Sequence, residues 1–420
     1  MRQRKPTSEL CCDGVSRRSC LQAGLLSLSG LTLADLLRVQ AAAGTAPLSG
    51  DGRAVIYLEL AGGPTQFETY DPKPLSPVEY RGPLGTAATR LASVRFSEMM
   101  AEQAKIADRL AVIRSIHHKS SSHQTSAHLV QTGYYLRDRQ TRENEMPCAG
   151  AVTARVNGAN ARGVPAFVSI PQYMRYGQAA HLGKGHNPFV TGGDPNNKKF
   201  RVQNLDLIGD VDAERLADRR SLLASFDEQR RLHDNRGVAE SLDDFSRQAF
   251  EMVSGRRARE AFDIAREDDK VRDRYGRTTT GQSLLLARRL VEAGVSFVTV
   301  RVGGWDDHRQ LVQRMESKAP AYDRGVAALV SDLCERGMDE NVLVVAMGEF
   351  GRTPRVNRTA GRDHWGALMS VLVAGGGLAM GQVVGSSNSK GEIPVDAPYR
   401  PEDVLATMYA PLGIDPRQTF

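Results

Sequence analysis

Five runs of apolar, mostly β-branched residues punctuate the chain: 54–60 (AVIYLEL), 110–114 (LAVIR), 295–302 (VSFVTVRV), 342–347 (VLVVAM) and 370–374 (SVLVA). Near-continuous apolar runs of this length suit strands buried on both faces. Between them, Tyr322, Val326, Leu329, Val330, Leu333 and Cys334 recur at helical spacing and stop at Gly337. A second helical pattern runs over 282–293 and stops at Gly294. Each helix closes on a glycine shortly before a strand, which is the connection expected where helices cover a parallel sheet. The pattern predicts an α/β domain with a mostly parallel central sheet and helices on both faces.

The segments between strand ends and the next element are polar. Gly62-Gly63-Pro64-Thr65-Gln66-Phe67-Glu68 comes after the first run, and Ser115, His117, His118, Ser120, Ser121, Ser122 and His123 after the second. Gly303-Gly304-Trp305-Asp306-Asp307-His308 comes after the third, and Gly348-Glu349-Phe350-Gly351-Arg352-Thr353-Pro354 after the fourth. Arg362-Asp363-His364-Trp365 precedes the fifth. Open parallel sheets bind ligands outside the carboxyl ends of their strands, so these clusters are expected to converge on one edge. The middle of the chain, about 150–276, is richer in loops and charged helical stretches, and is expected to be an insertion that packs over that edge.

Asp, Glu and His among glycines are ligand types for zinc or manganese, and no thiolate cluster competes. Asp306 and His308 alternate at a strand end and can face one side. Asp363 and His364 are adjacent, so one of them points at a given ion unless the loop turns sharply. Two ions ~4 Å apart would clamp the attacking and leaving oxygens of an in-line displacement. Arg352 and Arg362 suit a phosphate or sulfate. Plain readings stand beside these: Asp363 as an ion pair with Arg362, His364 as a packed loop histidine, Glu349 as a helix cap. The histidines at 117, 118, 123 and 128 outnumber what one site needs, which leaves one or more for structure.

Composition narrows the partners. Of 420 residues, 55 are Lys or Arg and 49 Asp or Glu, and the first 43 hold six basic and three acidic ones, leaving the rest nearly balanced. No dense basic stripe with interleaved aromatics appears, so no nucleic-acid partner is expected. Within residues 1–43, Ser16-Arg17-Arg18-Ser19-Cys20-Leu21-Gln22 precedes a mildly apolar run and then Ala41-Ala42-Ala43. This order resembles a twin-arginine signal, read by that export machinery and delivering a periplasmic or extracellular protein; the alternative is an amphipathic helix on a cytosolic protein. The run is interrupted by Gln22 and Asp35, too short for a permanent membrane span. Without that segment only Cys148 and Cys334 remain, which make no disulfide framework.

The motifs G-G-P-T-Q-F-E-T-Y-D-P-K-P near residue 62, Y-G-R-T-T-T-G-Q-S-L-L-L-A-R-R-L-V-E-A-G-V from Tyr275, G-G-W-D-D-H at 303, G-E-F-G-R-T-P at 348 and G-R-D-H-W at 361 are similar to those of a secreted, mostly bacterial family, the domain of unknown function fifteen-oh-one. That family is grouped with the alkaline phosphatase-like superfamily of phosphatases and sulfatases. The resemblance implies a single domain over 44–420 and a divalent ion, zinc or manganese, held by a set drawn from Asp306, His308, Glu349, Asp363, His364 and Glu68. It implies that His123 stands where relatives carry a hydroxyl or thiol nucleophile, serving here as base or nucleophile, with Arg352 as anion clamp. Gln66 and Glu68 replace a histidine and an aspartate, and Phe420 closes the chain where relatives commonly continue. Two functions are expected from this: an exported metal-dependent hydrolase of phosphate or sulfate esters, on a small anion or a polysaccharide, or a catalytically silent member that binds an anionic ligand, a polysaccharide or a partner protein. The missing hydroxyl favours the second, the Asp, His and Glu residues the first.

Overall fold

Ala54–Leu60 is buried at every position and pairs in parallel with a strand on each side, so it forms the middle of a sheet rather than an edge. A computed structural model describes residues 52–202 and 256–417. In chain order the main sheet takes β1 (Ala54–Leu60), β2 (Ala111–Ile116), β3 (Phe167–Ile170), β4 (Phe189–Val190), β5 (Phe297–Val302), β6 (Val342–Met347), β7 (Met369–Gly375) and β8 (Gln382–Val384). Across the sheet their order is β8-β2-β7-β6-β1-β5-β3-β4. All neighbouring pairs are parallel except those made by β7, which runs antiparallel to both β6 and β2.

Five helices flank this sheet: α1 (His123–Thr132), α2 (Ala149–Val156), α3 (Thr279–Glu292), α4 (Leu311–Glu335) and α5 (Pro401–Tyr409). Alternation along each strand divides the core. Ile56, Leu58, Leu60, Val298 and Val300 pack with Leu284 and Leu285 of α3 and Val326 and Leu329 of α4. Val55, Tyr57, Phe167, Phe297 and Val345 pack on the other face with Val130 of α1, Ala151 of α2 and Val404 and Met408 of α5. The fold is therefore the expected α/β sheet with helices on both faces. Thr278 starts α3 three residues earlier than the apolar pattern does, because its side chain accepts from the Gly281 N–H at 3.1 Å, a cap of about 1 kcal/mol.

The middle of the chain departs from expectation. Residues 149–190 do not pack over the sheet as an insertion; they supply α2 and two of its strands, β3 and β4. The charged stretch 213–236 and the part of 242–274 up to residue 255 lie outside the described residues, as does the twin-arginine stretch within 1–43; residues 256–262 and 269–275 are helical. Cys148 is buried, Cys334 half-buried, and both are free thiols. Among the described residues no helix is long and apolar enough to cross a membrane.

Candidate metal centre at the carboxyl edge of the sheet

Because β1, β2, β5 and β6 point the same way, the loops at their carboxyl ends meet at one edge. The fifth cluster joins them for the opposite reason: β7 is antiparallel, so residues preceding it emerge at the edge where the others end. His364 and Trp365 pair there with Arg352 and Gly351 in a two-residue ribbon. Gly62 makes the packing possible, since its φ is +115° and a Cβ would lie 2.5 Å from the Asp306 amide nitrogen. Its own N–H donates to both oxygens of Glu349 at 3.0 Å.

His123, the first residue of α1, comes together with Asp306 and His364, their ligand-type atoms all within 4.8 Å of one another. His364 Nε2 is 3.1 Å from Asp306 Oδ1, His308 Nε2 3.0 Å from the same oxygen, and His123 Nε2 3.4 Å from Oδ2. The far side of each ring is tied down. His123 Nδ1 meets Glu349 Oε1 at 2.7 Å, His308 Nδ1 meets Asp363 Oδ1 at 2.7 Å, and His364 Nδ1 meets the Ser121 carbonyl at 2.9 Å. A carbonyl and ionised carboxylates only accept, so each Nδ1 carries a proton and each Nε2, aimed inward at Asp306, is the nitrogen left for an ion. His308 and His364 then face each other at 2.9 Å, nitrogen to nitrogen, beside a carboxylate. A cation bound among these Nε2 atoms would take their lone pairs in place of the contacts they make with Asp306, and the outward tethering of each imidazole is the support that metal-bound histidines ordinarily have. The donor set fits zinc or manganese: His123, Asp306 and His364 would hold the ion with His308 adjacent, while Glu349 and Asp363 orient rings rather than face the centre.

The electrostatics agree with that arrangement. Partial burial works against the Asp306 carboxylate, but hydrogen bonds from Arg352 and His364 outweigh it and hold its pKa well below the usual range. The bond to Glu349 raises the pKa of His123 against the effect of burial, and burial lowers that of His364. Metal binding would displace whatever protons these rings retain.

Two expected site residues do other work. The Arg352 guanidinium is fully buried and donates to the carbonyls of Gly62, Gly63, Trp305 and Arg362 and, at 2.6 Å, to Asp306 Oδ1, so it steadies the Asp306 carboxylate and is not open to clamp an anion. Glu68 is 1% exposed and pairs with Arg362 at 2.8 Å instead of reaching the cluster. The buried Arg362 guanidinium requires a counter-charge, and Glu68 supplies it. Of the surplus histidines, His118 bonds the Glu349 carbonyl at 2.9 Å and His128 the Tyr134 carbonyl at 2.6 Å; both are structural. Sequence reasoning missed the backbone groups that tether the site, the Ser121 carbonyl and the Gly62 N–H, which carry no residue-type signal.

Beneath the cluster, Glu59 of β1 is 5% exposed and its pKa is pushed up from 4.5 to about 8, by burial first, against the attraction of Arg301 at 3.4 Å. The folded value lies above the unfolded one, so the stability linked to its proton is present below pH 4.5 and lost as pH rises through about 8. Glu59→Gln is therefore expected to stabilise the protein by about 1–3 kcal/mol at pH 9 and to change little at pH 4.5, read from denaturant midpoints. A variant equally or less stable at pH 9 would contradict this.

The sequence profile of a family described as "Protein of unknown function (DUF1501)" matches residues 52–420. No curated protein matches the chain. Solved structures similar to it include Ps i-CgsB (12% identical, TM-score 0.40, covering 86% of this chain and 72% of that one). Another is the PsFucS1 sulfatase from Pseudoalteromonas sp. (12%, 0.38, 95% and 73%). A third is the alkaline phosphatase of the Antarctic bacterium TAB5 (10%, 0.34, 86% and 98%).

Proposed function

The chain belongs to the DUF1501 family, and from that premise we propose that it is an exported, metal-dependent hydrolase of phosphate or sulfate esters, of the alkaline phosphatase-like kind. The observation that carries this reading is the convergence of two outward-tethered imidazoles, His123 and His364, and Asp306 at the carboxyl edge of the sheet, with the tethered His308 ring beside them. A divalent ion held there supplies Lewis-acid polarisation of an ester oxygen. The protein's own part is positional: Glu349, Asp363 and the Ser121 carbonyl fix the rings, and Arg352 fixes Asp306. His123 serves this centre as a ligand, since its Nε2 faces Asp306.

Dialysed protein is expected to regain about one equivalent of zinc or manganese and to hydrolyse a member of a panel of phosphate and sulfate monoesters. One observation favours a second reading, a silent member that binds an anion: near His123 the Ser122 hydroxyl donates to Gln124 Oε1 at 3.1 Å and the Thr125 hydroxyl is buried, so neither is presented as a nucleophile. Metal uptake without hydrolysis across the panel would select that reading, and no uptake would reject the hydrolase.

Export is proposed on Arg17-Arg18. Changing both to lysine is expected to abolish the shortened periplasmic form, because a twin-arginine receptor reads the pair and not general positive charge. Undiminished recovery of that form would reject the signal.

A further inference from the structure

The cluster is half open to solvent, the Asp306 side chain being 43% exposed, and the loops around it carry exposed cations without a salt-bridge partner, of which Arg175 is felt at longer range by Glu59. Lys119 lies between β2 and α1, Arg175 in the loop after β3, and Arg309 beside His308. Arg355 lies in the segment between Arg352 and Asp363, which packs on the His308 loop through Asn357 and Thr359, both donating to the His308 carbonyl, at 3.0 and 2.7 Å. All four are exposed. None makes a side-chain ion pair or hydrogen bond among the described residues, unlike Arg274, Arg277 and Arg417, which are paired at 2.5–2.9 Å, and like some other surface cations such as Arg139 and Lys184. Two exposed tyrosines lie beside these cations in the chain or in contact. Tyr173 is 47% exposed two residues before Arg175, and Tyr135, 43% exposed, accepts from the Lys119 N–H at 3.2 Å.

A small monoester needs one or two positive partners, and the cluster with its ion would already provide them. Cations spread over four loops suit charges spaced along a chain, and aromatic faces beside them suit the apolar faces of sugar rings. Accepting the hydrolase reading above, on which this step rests, we propose that the rim of the site binds a polyanionic glycan, sulfated or phosphorylated, so that the ester presented to the metal centre is one pendant group among many. Nucleic acid fits less well, because its internal phosphates are diesters of the backbone and offer no pendant monoester.

Affinity electrophoresis of the full chain tests this, in gels containing dextran sulfate, phosphorylated dextran, plain dextran or single-stranded DNA. Retardation by one or both charged dextrans and not by the plain polymer is expected, weakening as salt rises. Changing Lys119, Arg175, Arg309 and Arg355 together to alanine should weaken it by about tenfold or more, and Tyr135→Ala with Tyr173→Ala should weaken it further. His364→Ala should keep most of the retardation and lose only the share of the single ester held at the metal centre, which separates rim binding from the metal chemistry. Equal retardation by plain dextran, indifference to the four substitutions, or stronger retardation by DNA would overturn the proposal even if hydrolysis stands. Failure to take up metal with retardation intact would overturn the hydrolase reading and leave the rim.

Discussion

Replacing His364 by alanine is expected to leave a folded protein that no longer retains zinc or manganese after dialysis, with metal affinity lowered by at least about a hundredfold and ester hydrolysis lost with it. The ring lies within 3.1 Å of Asp306 and 2.9 Å of His308, and its Nδ1 is already spent on the Ser121 carbonyl, so Nε2 is the nitrogen left to face the cluster. Its loss leaves His123 and Asp306 with too few donors to complete a four-coordinate ion. The cost to folding should be small by comparison. The ring is partly exposed and stacks on Phe350 with centroids 4.3 Å apart, while the strands beneath are untouched. Elemental analysis of dialysed, metal-reloaded protein beside a denaturation curve separates the two effects. Wild-type metal content in the variant would make His364 a packed loop residue and remove the centre.

The sheet was legible because burial on both faces leaves little choice of residue: five apolar runs became β1, β2, β5, β6 and β7 with ends shifted by at most two residues. The strand of four residues at Phe167–Ile170 was not, since it is cut off by Pro171 before any period can register. Nor could the sequence show that β7 is antiparallel, because parallel and antiparallel strands buried on both faces look alike. That sense matters for the site, as it puts His364 at the same edge as Asp306. Glycine-flanked Asp, Glu and His at strand ends did mark the right neighbourhood. Their division of labour was hidden: whether Glu349 faces the centre or holds His123 depends on a rotamer and on a Gly62 amide 287 residues away. Arg352 and Glu68 show the same limit. A charged residue in a polar motif reads as a ligand contact, and only burial reveals that each has been enclosed with a partner.

Glu68→Ala is the substitution expected to cost most stability, about 3–5 kcal/mol, because it strands a guanidinium in the interior. Arg362 is 0% exposed and holds both oxygens of Glu68, the Thr353, Pro354 and Tyr80 carbonyls and the face of Phe67, 4.1 Å from the ring centroid. The three carbonyls and the ring solvate the cation but do not neutralise it. Since Arg362 stands immediately before Asp363 and His364, the same loss should loosen the segment that aims the late histidine, and metal affinity should fall although Glu68 touches no metal-facing atom. Replacing the pair together, Glu68→Leu with Arg362→Met, removes the stranded charge. Apolar side chains of similar volume can match a buried ion pair, so the double variant should recover most of the stability lost in Glu68→Ala. Denaturant midpoints for Glu68→Ala, Arg362→Met and Glu68→Leu/Arg362→Met decide the matter. A Glu68→Ala cost under about 1 kcal/mol is what a solvated surface pair would give, and would contradict the buried bridge.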